Sequence, residues 1–368
     1  MPGLFSPIHL AGKELANRIL VSPMCQYSAE DGCAGDWHLV HYGALANSGA
    51  AMLIVEATAV EPRGRISAGD LGLYSDACEE ALGRVVASCR RHGTAALGVQ
   101  LAHAGRKGSA HVPWQGGKAL GPSEGAWETI APSPLPFDEG WPTPREMTPD
   151  DMRDVRAAFV ASAERALRIG FDLVELHLAH GYLLHEFLSP VANRRTDAYG
   201  GSLENRMRFP LEIAADLRAA WPEDRILGAR ITGSDWIEGG WSDDDAVQLA
   251  RRLQKLGFDY VTVSSGGIVP KVRIPADPGY QVPFAAKVKR ETGITTCAVG
   301  LIAAPAQAER IVANGEADLV ALARAFLDNP HWGWAAAFEL GAKVRRPPQY
   351  ERAAPELWPG ATISRELD

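Results

Sequence analysis

The chain lacks the features that mark nucleic-acid-binding, membrane and secreted proteins. Its 368 residues include 37 Lys and Arg against 45 Asp and Glu, a formal charge of −8, so there is no basic excess for nucleic acid or an anionic membrane surface. No apolar run approaches the roughly 20 residues that span a membrane. The amino terminus has neither the basic flank nor the apolar segment of an export signal. These absences predict a cytoplasmic protein that binds neither nucleic acid nor membrane.

Cysteine is scarce, and the glycine-rich nucleotide motifs are missing. Five cysteines without a C-x-x-C pair fit reduced thiols better than a disulfide framework or a structural zinc site. Neither G-x-G-x-x-G nor G-x-x-x-x-G-K-[ST] occurs, so a Rossmann or P-loop site is unsupported. What the chain does have is 46% hydrophobic residues, which is ample for a core.

Short apolar runs alternate with helical segments eight times along the chain. Near-continuously apolar strands separated by helices are typical of a parallel sheet buried on both faces. Eight such units predict an α/β fold, a single closed (β/α)8 TIM barrel over residues 1–368 with no second domain. The predicted strands are Arg18–Ser22, Met52–Val55, Ala96–Leu101, Leu173–Leu178, Ile226–Ile231, Tyr260–Ser264, Thr295–Val299 and Asp318–Ala323.

Two segments fall outside this alternation. Residues 107–148, after the third strand, are rich in Gly, Pro and Trp, and loops this long in a compact domain are usually functional lids or walls. Arg106 and Lys107 at its start are expected to be solvated charges. Residues 343–368 form a tail beyond the last predicted helix.

Reactive residues should lie where the strands end, because the loops after the strands form the active face of such a barrel. The fourth predicted strand leads into His177, His180 and Tyr182, and the first leads into Cys25. Two imidazoles and a phenol can donate hydrogen bonds to one carbonyl or nitro oxygen. The Cys25 thiol could be a nucleophile or a weak donor beside a cofactor.

Two other roles are possible for His177 and His180: metal ligation and hydrogen bonding within the core. Residues three apart on a strand point to opposite faces, so His177 and His180 converge only if the chain turns at Ala179. A metal site would need a third ligand such as Glu175, and no set has recognisable ligand spacing. One histidine could instead satisfy hydrogen bonds within the core.

Arg230 and Arg324 are charges at the ends of otherwise apolar strands. A buried guanidinium needs an anionic or acceptor partner, which an internal salt bridge would supply. Gly300 and the Gly266–Gly267 pair, where backbone N–H groups can approach a ligand, better suit a phosphorylated cofactor at the loops of the later strands.

Four segments resemble the Old Yellow Enzyme family of FMN-dependent ene-reductases, and the resemblance covers essentially the whole chain. Cys25 and Tyr27, in the first of these segments, look like the thermophilic-like branch of the family, which includes the bacterial xenobiotic reductases. The resemblance implies a (β/α)8 barrel with non-covalent FMN, reduced by NADPH or NADH, that reduces activated C=C bonds. The segments are Ser22–Tyr27, Gln100–Lys107, His177–Tyr182 and Arg195–Arg206.

The resemblance also assigns the cofactor site residue by residue. Arg230 would stabilise the reduced flavin near its N1/O2 edge, and Cys25 would tune the flavin without attacking substrate. Gly300, Ala323 and Arg324 would hold the phosphate. The residues implied to contact the flavin are Ser22, Pro23, Met24, Cys25, Ala57, Gln100 and Arg230.

For the substrate, the resemblance implies that His177 and His180 bind the oxygen of an α,β-unsaturated carbonyl or nitro compound. Hydride then reaches the β-carbon, and Tyr182 protonates the α-carbon, with Tyr27 as a second donor. Cys25 completes the implied catalytic set. The alternatives at this point are a metal-dependent barrel hydrolase or lyase and a flavin-binding protein without turnover.

Three positions differ from the usual family pattern or match only some members of the family. Ala323 stands where the family usually has glycine, and Val299 stands where close relatives carry tryptophan, which changes the pocket wall. The segment containing Arg352 resembles one that some members insert into a neighbouring subunit's active site, so a homodimer or homotetramer with Arg352 at the substrate is expected. A solvated tail is the alternative.

Overall fold

The computed structural model describes residues 2–363 and confirms the predicted barrel. Eight parallel strands close in chain order as β3, β4, β5, β8, β9, β10, β11 and β12, with β12 paired to β3. The strands are β1 (Ile8–Leu10), β2 (Lys13–Leu15), β3 (Ile19–Val21), β4 (Met52–Ala59), β5 (Ala96–Ala102), β6 (Ile130–Ala131), β7 (Arg145–Glu146), β8 (Leu173–Leu178), β9 (Ile226–Thr232), β10 (Tyr260–Ser264), β11 (Thr295–Ala298) and β12 (Leu319–Leu322).

Helices pack around the outside of the barrel, and several begin at the caps that the sequence indicates. At the start of α3, Thr148 Oγ1 accepts from the Asp151 N–H at 3.2 Å, and the Asp151 carboxylate accepts from the Thr148 N–H at 2.9 Å. The helices are α1 (Asp36–Leu45), α2 (Asp76–His92), α3 (Pro149–Arg168), α4 (Leu183–Leu188), α5 (Leu203–Ala220), α6 (Asp243–Lys255), α7 (Val282–Thr292), α8 (Pro305–Ala313), α9 (Arg324–Asp328), α10 (Trp332–Glu339) and α11 (Gly360–Ile363). None of the described helices is long and apolar enough to cross a membrane.

The floor of the barrel is closed by an antiparallel hairpin that the sequence did not reveal. β1 and β2 pair across a two-residue turn, and their Leu10 and Leu15 side chains join the apolar cluster at the amino ends of the barrel strands. Leu20, Met52 and Leu173 belong to the same cluster. The hairpin therefore covers the amino ends of the barrel strands. The carboxyl ends of the strands are here called the mouth.

The insertion after β5 contains 3₁₀ turns and the short β6–β7 pair, as expected of an irregular segment. Its first two charges are not solvated, and the expectation for them is wrong. Arg106 is 4% exposed and donates to the Ile268 carbonyl at 2.7 Å and to the Leu135 carbonyl at 3.3 Å. Lys107 Nζ donates to the His180 carbonyl at 2.8 Å. Carbonyl groups from later loops, turned inward, take the place of water around both cations.

The carboxyl-terminal tail lies on the side away from the mouth. Tyr350 packs edge-on against Trp334, with ring centroids 5.8 Å apart. Trp334 in turn lies against Gly49, just before β4. Arg352 follows in an exposed 3₁₀ turn, so it does not line the site of its own chain. Residues 364–368 of the predicted tail lie outside the described part.

Candidate active site at the barrel mouth

The end of β8 makes the turn that the histidine pair requires. His180 has φ +60° and Gly181 has φ +72°, so the chain reverses directly after Ala179. A Cβ on Gly181 would lie 2.2 Å from the Gly267 carbonyl oxygen, so only glycine fits there. The His177 ring lies 5.1 Å from the His180 ring and 5.2 Å from the Tyr182 ring, both edge-on. These three side chains are called the clamp below.

Both imidazoles of the clamp are neutral at neutral pH. Burial lowers the pKa of His177 and of His180 well below the ordinary value, and the nearby charge of Arg230 lowers both further. His177 Nδ1 accepts from the Ala179 N–H at 3.2 Å, so the ring proton of His177 sits on Nε2. His177 therefore presents a hydrogen-bond donor to the mouth.

The second histidine is held by two serines and a glutamine. His180 Nε2 lies 2.7 Å from Ser264 Oγ, which is 3.2 Å from Gln281 Oε1. Ser265 Oγ donates to the same Gln281 oxygen at 2.6 Å. We assign the Ser264 proton to the shorter contact, which leaves the ring proton of His180 on Nδ1 as a second donor.

Tyr182 keeps its proton and lies beside a buried cation. Burial raises the pKa of Tyr182 well above its ordinary value, with added contributions from Cys25 and Tyr27. Lys107 Nζ lies 4.7 Å from the centre of the Tyr182 ring, and burial lowers the pKa of Lys107 to about 8. A positive charge at this distance favours the phenolate, which is the form left after proton donation.

The first barrel strand leads to a thiol and a phenol. Tyr27 packs edge-on against Trp114 of the insertion at 5.8 Å. Burial, with Asp70 and Glu56, raises the pKa of Cys25. The thiol therefore stays protonated, which disfavours the nucleophilic role and leaves the role of a weak donor.

Below the clamp, the barrel interior holds a carboxylate whose partners are already in place. Glu175 accepts from Gln100 Nε2 at 2.8 Å, from Tyr260 Oη at 2.9 Å and from Thr262 Oγ1 at 3.0 Å. These donors hold Glu175 within the barrel, so it is not free to join the histidines as a metal ligand. Among residues 2–363, no group of three or more His, Cys, Asp and Glu side chains could hold a metal ion.

Arg230 stands at the base of a cavity of about 470 Å³ between the ends of β9 to β12. Its Nη1 reaches Ser22 Oγ at 3.3 Å, while its buried Nε has no acceptor among the described residues. An unpaired guanidinium N–H beside an open cavity is a place for a ligand's acceptor atoms. Other residues lining the cavity are Val299, Gly300, Ala323 and Arg324.

The cavity fits a phosphorylated group at its outer end. Gly300 has φ +106°, and a Cβ there would lie 2.5 Å from Gln281 Nε2, so the bare backbone faces the cavity. Arg324 opens α9 with its side chain exposed at the rim. The expectation of a buried arginine fits Arg230, which is half-buried with its Nε enclosed, and is wrong for Arg324, whose side chain is exposed.

The remaining predicted residues lie around the mouth. Pro23 and Met24 follow β3, and Met24 packs on the core. Ala57, in β4, lies beside Tyr182 and Asp70 around a small void. Sequence reasoning missed Asp70, whose pKa burial raises to about 6, together with Lys107, Ser264 and Gln281 as neighbours of the clamp. Lys107, Ser264 and Gln281 come from other loops. Asp70 is bonded locally to Ile66 and Ser67, and only the fold brings it beside Tyr182. No local pattern therefore identifies these four residues.

Known proteins resemble the chain over nearly its whole length. A profile of the NADH:flavin oxidoreductase / NADH oxidase family matches residues 3–340. An NADPH dehydrogenase of Geobacillus thermodenitrificans is 49% identical over 351 residues, 95% of this chain and 98% of that protein. Morphinone reductase in complex with tetrahydroNAD superposes with a TM-score of 0.76 at 28% identity, over 95% of this chain and 94% of that one. A 2-naphthoyl-CoA reductase superposes with a TM-score of 0.82 at 25% identity. The superposition covers 92% of this chain and 52% of the reductase.

Proposed function

Because the chain belongs to the NADH:flavin oxidoreductase / NADH oxidase family, the Old Yellow Enzyme family, we propose that this FMN-dependent NAD(P)H oxidoreductase reduces the C=C bond of α,β-unsaturated carbonyl or nitro compounds. The observation that carries the proposal is the clamp. At the mouth of the barrel, the neutral His180 imidazole and the protonated Tyr182 phenol each lie within 5.2 Å of the neutral His177 imidazole. Such a set can bind one oxygen and supply one proton, which is what reduction of an activated alkene requires.

The cavity beside the clamp fits FMN. The unpaired Arg230 Nε offers a donor to the flavin ring, and the Gly300 backbone and Arg324 offer phosphate contacts. Arg230 would also offset negative charge on the ring, and Ala323 would add a backbone N–H at the phosphate. When bound, FMN supplies the hydride that it received from NAD(P)H. The residues proposed to line the ring are Ser22, Pro23, Met24, Cys25, Ala57, Gln100 and Arg230.

The clamp would polarise and protonate the substrate. His177 Nε2 and His180 Nδ1 donate to the substrate oxygen, which makes the β-carbon electron-poor. Tyr182 holds a proton on Oη until the α-carbon can accept it, and the Lys107 ammonium stabilises the phenolate that remains. Tyr27 offers a second donor to the substrate oxygen.

A spectrum of the purified protein tests this function. Flavin absorbance should bleach with NADPH under anaerobic conditions and return on addition of 2-cyclohexenone, with formation of cyclohexanone. Cyclohexanone itself, which has the same ring and carbonyl but no C=C bond, should leave the flavin reduced. Bleaching that 2-cyclohexenone cannot reverse would contradict ene-reduction while leaving the flavin oxidoreductase intact.

We also propose that the chain assembles into a homodimer or homotetramer in which Arg352 reaches a neighbour's substrate site. Trp37 and Val40 on α1 are 52% and 68% exposed, an apolar strip beside the loop of Tyr27, and Trp358 of the tail is 44% exposed. Arg352 itself is exposed and does not line the cavity of its own chain. Light scattering should show an oligomer, and Arg352→Ala should raise KM for cyclohexenone; a monomer with unchanged KM would contradict this assembly.

A further inference from the structure

We propose that Cys33 and Cys78 are a redox-reactive pair that hydroperoxides convert to a reversible disulfide. Their sulfur atoms lie 3.8 Å apart although the residues are 45 positions apart in the chain. No other two cysteine sulfurs among residues 2–363 are in such contact. The proposal concerns two thiols that the reduction of substrate does not use.

A hairpin and the first turn of a helix bring the two thiols together. Cys33 closes a tight hairpin with Glu30, in which Asp31 and Gly32 have φ +49° and +81°. Cys78 lies in the first turn of α2, where its N–H donates to the Ser75 cap at 3.2 Å. A disulfide needs the sulfurs about 2.05 Å apart, so closure requires an approach of roughly 1.7 Å. Side-chain rotation and a small shift of the exposed hairpin can provide this.

The environment sets which thiol reacts first. Cys78 is fully buried, whereas Cys33 is partly exposed, so Cys33 is the thiol that meets an oxidant. Burial raises the pKa of Cys33, and the neighbouring Cys78 and Asp31 raise it further. Its thiolate fraction at neutral pH is therefore small, and the reaction is slow compared with that of a dedicated peroxide-reactive cysteine.

The chemistry takes two steps and balances with a hydroperoxide as the oxidant. The Cys33 thiolate attacks one peroxide oxygen, the O–O bond breaks, and the products are Cys33 sulfenic acid and an alcohol or water. The Cys78 thiol then attacks the Cys33 sulfur, an S–S bond forms, and the sulfenic oxygen leaves as water. The two thiols lose two electrons and two protons, and the peroxide gains both. A dithiol reverses the change.

The disulfide would join two segments that border the mouth. The hairpin continues from the loop that carries Cys25 and Tyr27, and it contacts the segment before α2 through Gly72 N–H to Gly32 carbonyl at 2.9 Å and Tyr74 Oη to Asp31 carbonyl at 2.9 Å. Hydrogen bonds already tie these segments together, so the covalent bond would lock an arrangement that exists in the reduced protein. Oxidation is expected to stabilise the fold by restricting its unfolded state.

Mass spectrometry of the flavin-loaded protein tests the pair directly. The protein is fully reduced, freed of reductant, and treated with cumene hydroperoxide. We expect the intact mass to fall by two hydrogen atoms, a non-reduced peptide joining Cys33 to Cys78, and loss of both signals after dithiothreitol. The melting temperature should rise by a few degrees in the oxidised form.

Matched variants separate the pair from the other thiols. Cys33→Ser and Cys78→Ala should each abolish the linked peptide and the rise in melting temperature, whereas Cys25→Ser should retain both. Accumulation of Cys33 sulfinic acid without the linked peptide would overturn the proposal, as would a Cys33-linked dimer on a non-reducing gel. If Cys78→Ala failed to fold, the linked peptide in the unmodified protein and its loss in Cys33→Ser would decide the question. None of these readouts depends on substrate turnover, so the outcome is independent of the proposed function.

Discussion

The two sides of the barrel mouth are built differently. On the side of β8, the protein itself holds the side chains: the backbone holds His177, Ser264 holds His180, and two carbonyl oxygens hold Lys107 beside the clamp. On the side of β9 to β12 lies a cavity of about 470 Å³, with a buried Arg230 nitrogen that no described residue satisfies. The protein thus fixes the clamp in advance, whereas the Arg230 nitrogen is left for an acceptor from a molecule in the cavity.

This difference implies that the two sides can be altered separately. Changes to the clamp should alter the reaction of bound substrate with little loss of FMN. Changes at the rim of the cavity should alter FMN affinity and change the turnover of each bound flavin much less. The predictions below test that separation, from the largest expected effect to the smallest.

Tyr182→Phe should slow flavin reoxidation by 2-cyclohexenone roughly 10²-fold, because it removes the proposed proton donor and leaves the proposed donors to the substrate oxygen in place. Reduction by NADPH and FMN content should change little. Stopped-flow measurement of both half-reactions checks this, with Tyr27→Phe as the matched control and a smaller expected loss. Equal reoxidation rates for Tyr182→Phe and the unmodified protein would remove Tyr182 from its role.

Arg324→Ala should weaken FMN binding by roughly tenfold, because the proposed charge-assisted contact to phosphate at the rim is lost. Fluorescence titration of the apoprotein with FMN measures the Kd, and the difference should shrink at high salt. Arg310→Ala removes an exposed arginine from α8 and should leave the Kd unchanged. Unaltered affinity in Arg324→Ala would place the phosphate elsewhere.

Lys107→Met should slow reoxidation several-fold and change its pH dependence. Burial lowers the pKa of Lys107 to about 8, so its ammonium is charged below that pH and neutral above it. The unmodified enzyme should therefore lose rate as pH rises through about 8, and Lys107→Met should lack this step. Lys107→Arg, which keeps the charge, should also lack the step near 8 but retain the rate. Identical pH profiles in the unmodified enzyme and Lys107→Met would show that the ammonium does not assist Tyr182.

Ser264→Ala should have the smallest effect, roughly a fivefold loss of affinity for a phenol that binds at the clamp, as expected for one neutral hydrogen bond. The variant removes the group that fixes the ring proton of His180. Ser265→Ala is the control, because Ser265 contacts the same Gln281 oxygen but not the histidine. Spectral titration should separate the two serines at equal FMN content. Equal affinities would contradict our assignment of the His180 proton.

Sequence patterns were sufficient for the barrel because each strand is a continuous apolar run between helices. Sequence patterns did not identify elements that are very short or that are buried on every face. β1 and β2 have three residues each, which is too few to show the alternation of apolar and polar residues that identifies a strand. Every residue of α4 is buried, so it shows no polar face and was not recognised as a helix.

The clamp could be predicted because its residues lie within six positions of one another, so one local turn brings them together. Lys107 could not, since its partners are carbonyl groups of His180 and Gly267 from separate loops. The contact of Cys33 with Cys78 likewise depends on how a hairpin and a helix pack. The geometry of a local motif can be predicted because its residues are close in sequence. Burial and long-range contacts depend on how the whole chain folds.

The Glu175 carboxylate and the Arg230 guanidinium lie at different depths in the barrel, so charge is separated along the barrel axis. The strand register places His177 beside Arg230, and Glu175 beside Gly228, one layer closer to the floor. The interior is therefore a dipole with its negative end held deep by three donors and its positive end facing outward. Between two ligands of the same shape, the mouth should select the anion, and an acidic phenol should lose its proton more readily there than in water.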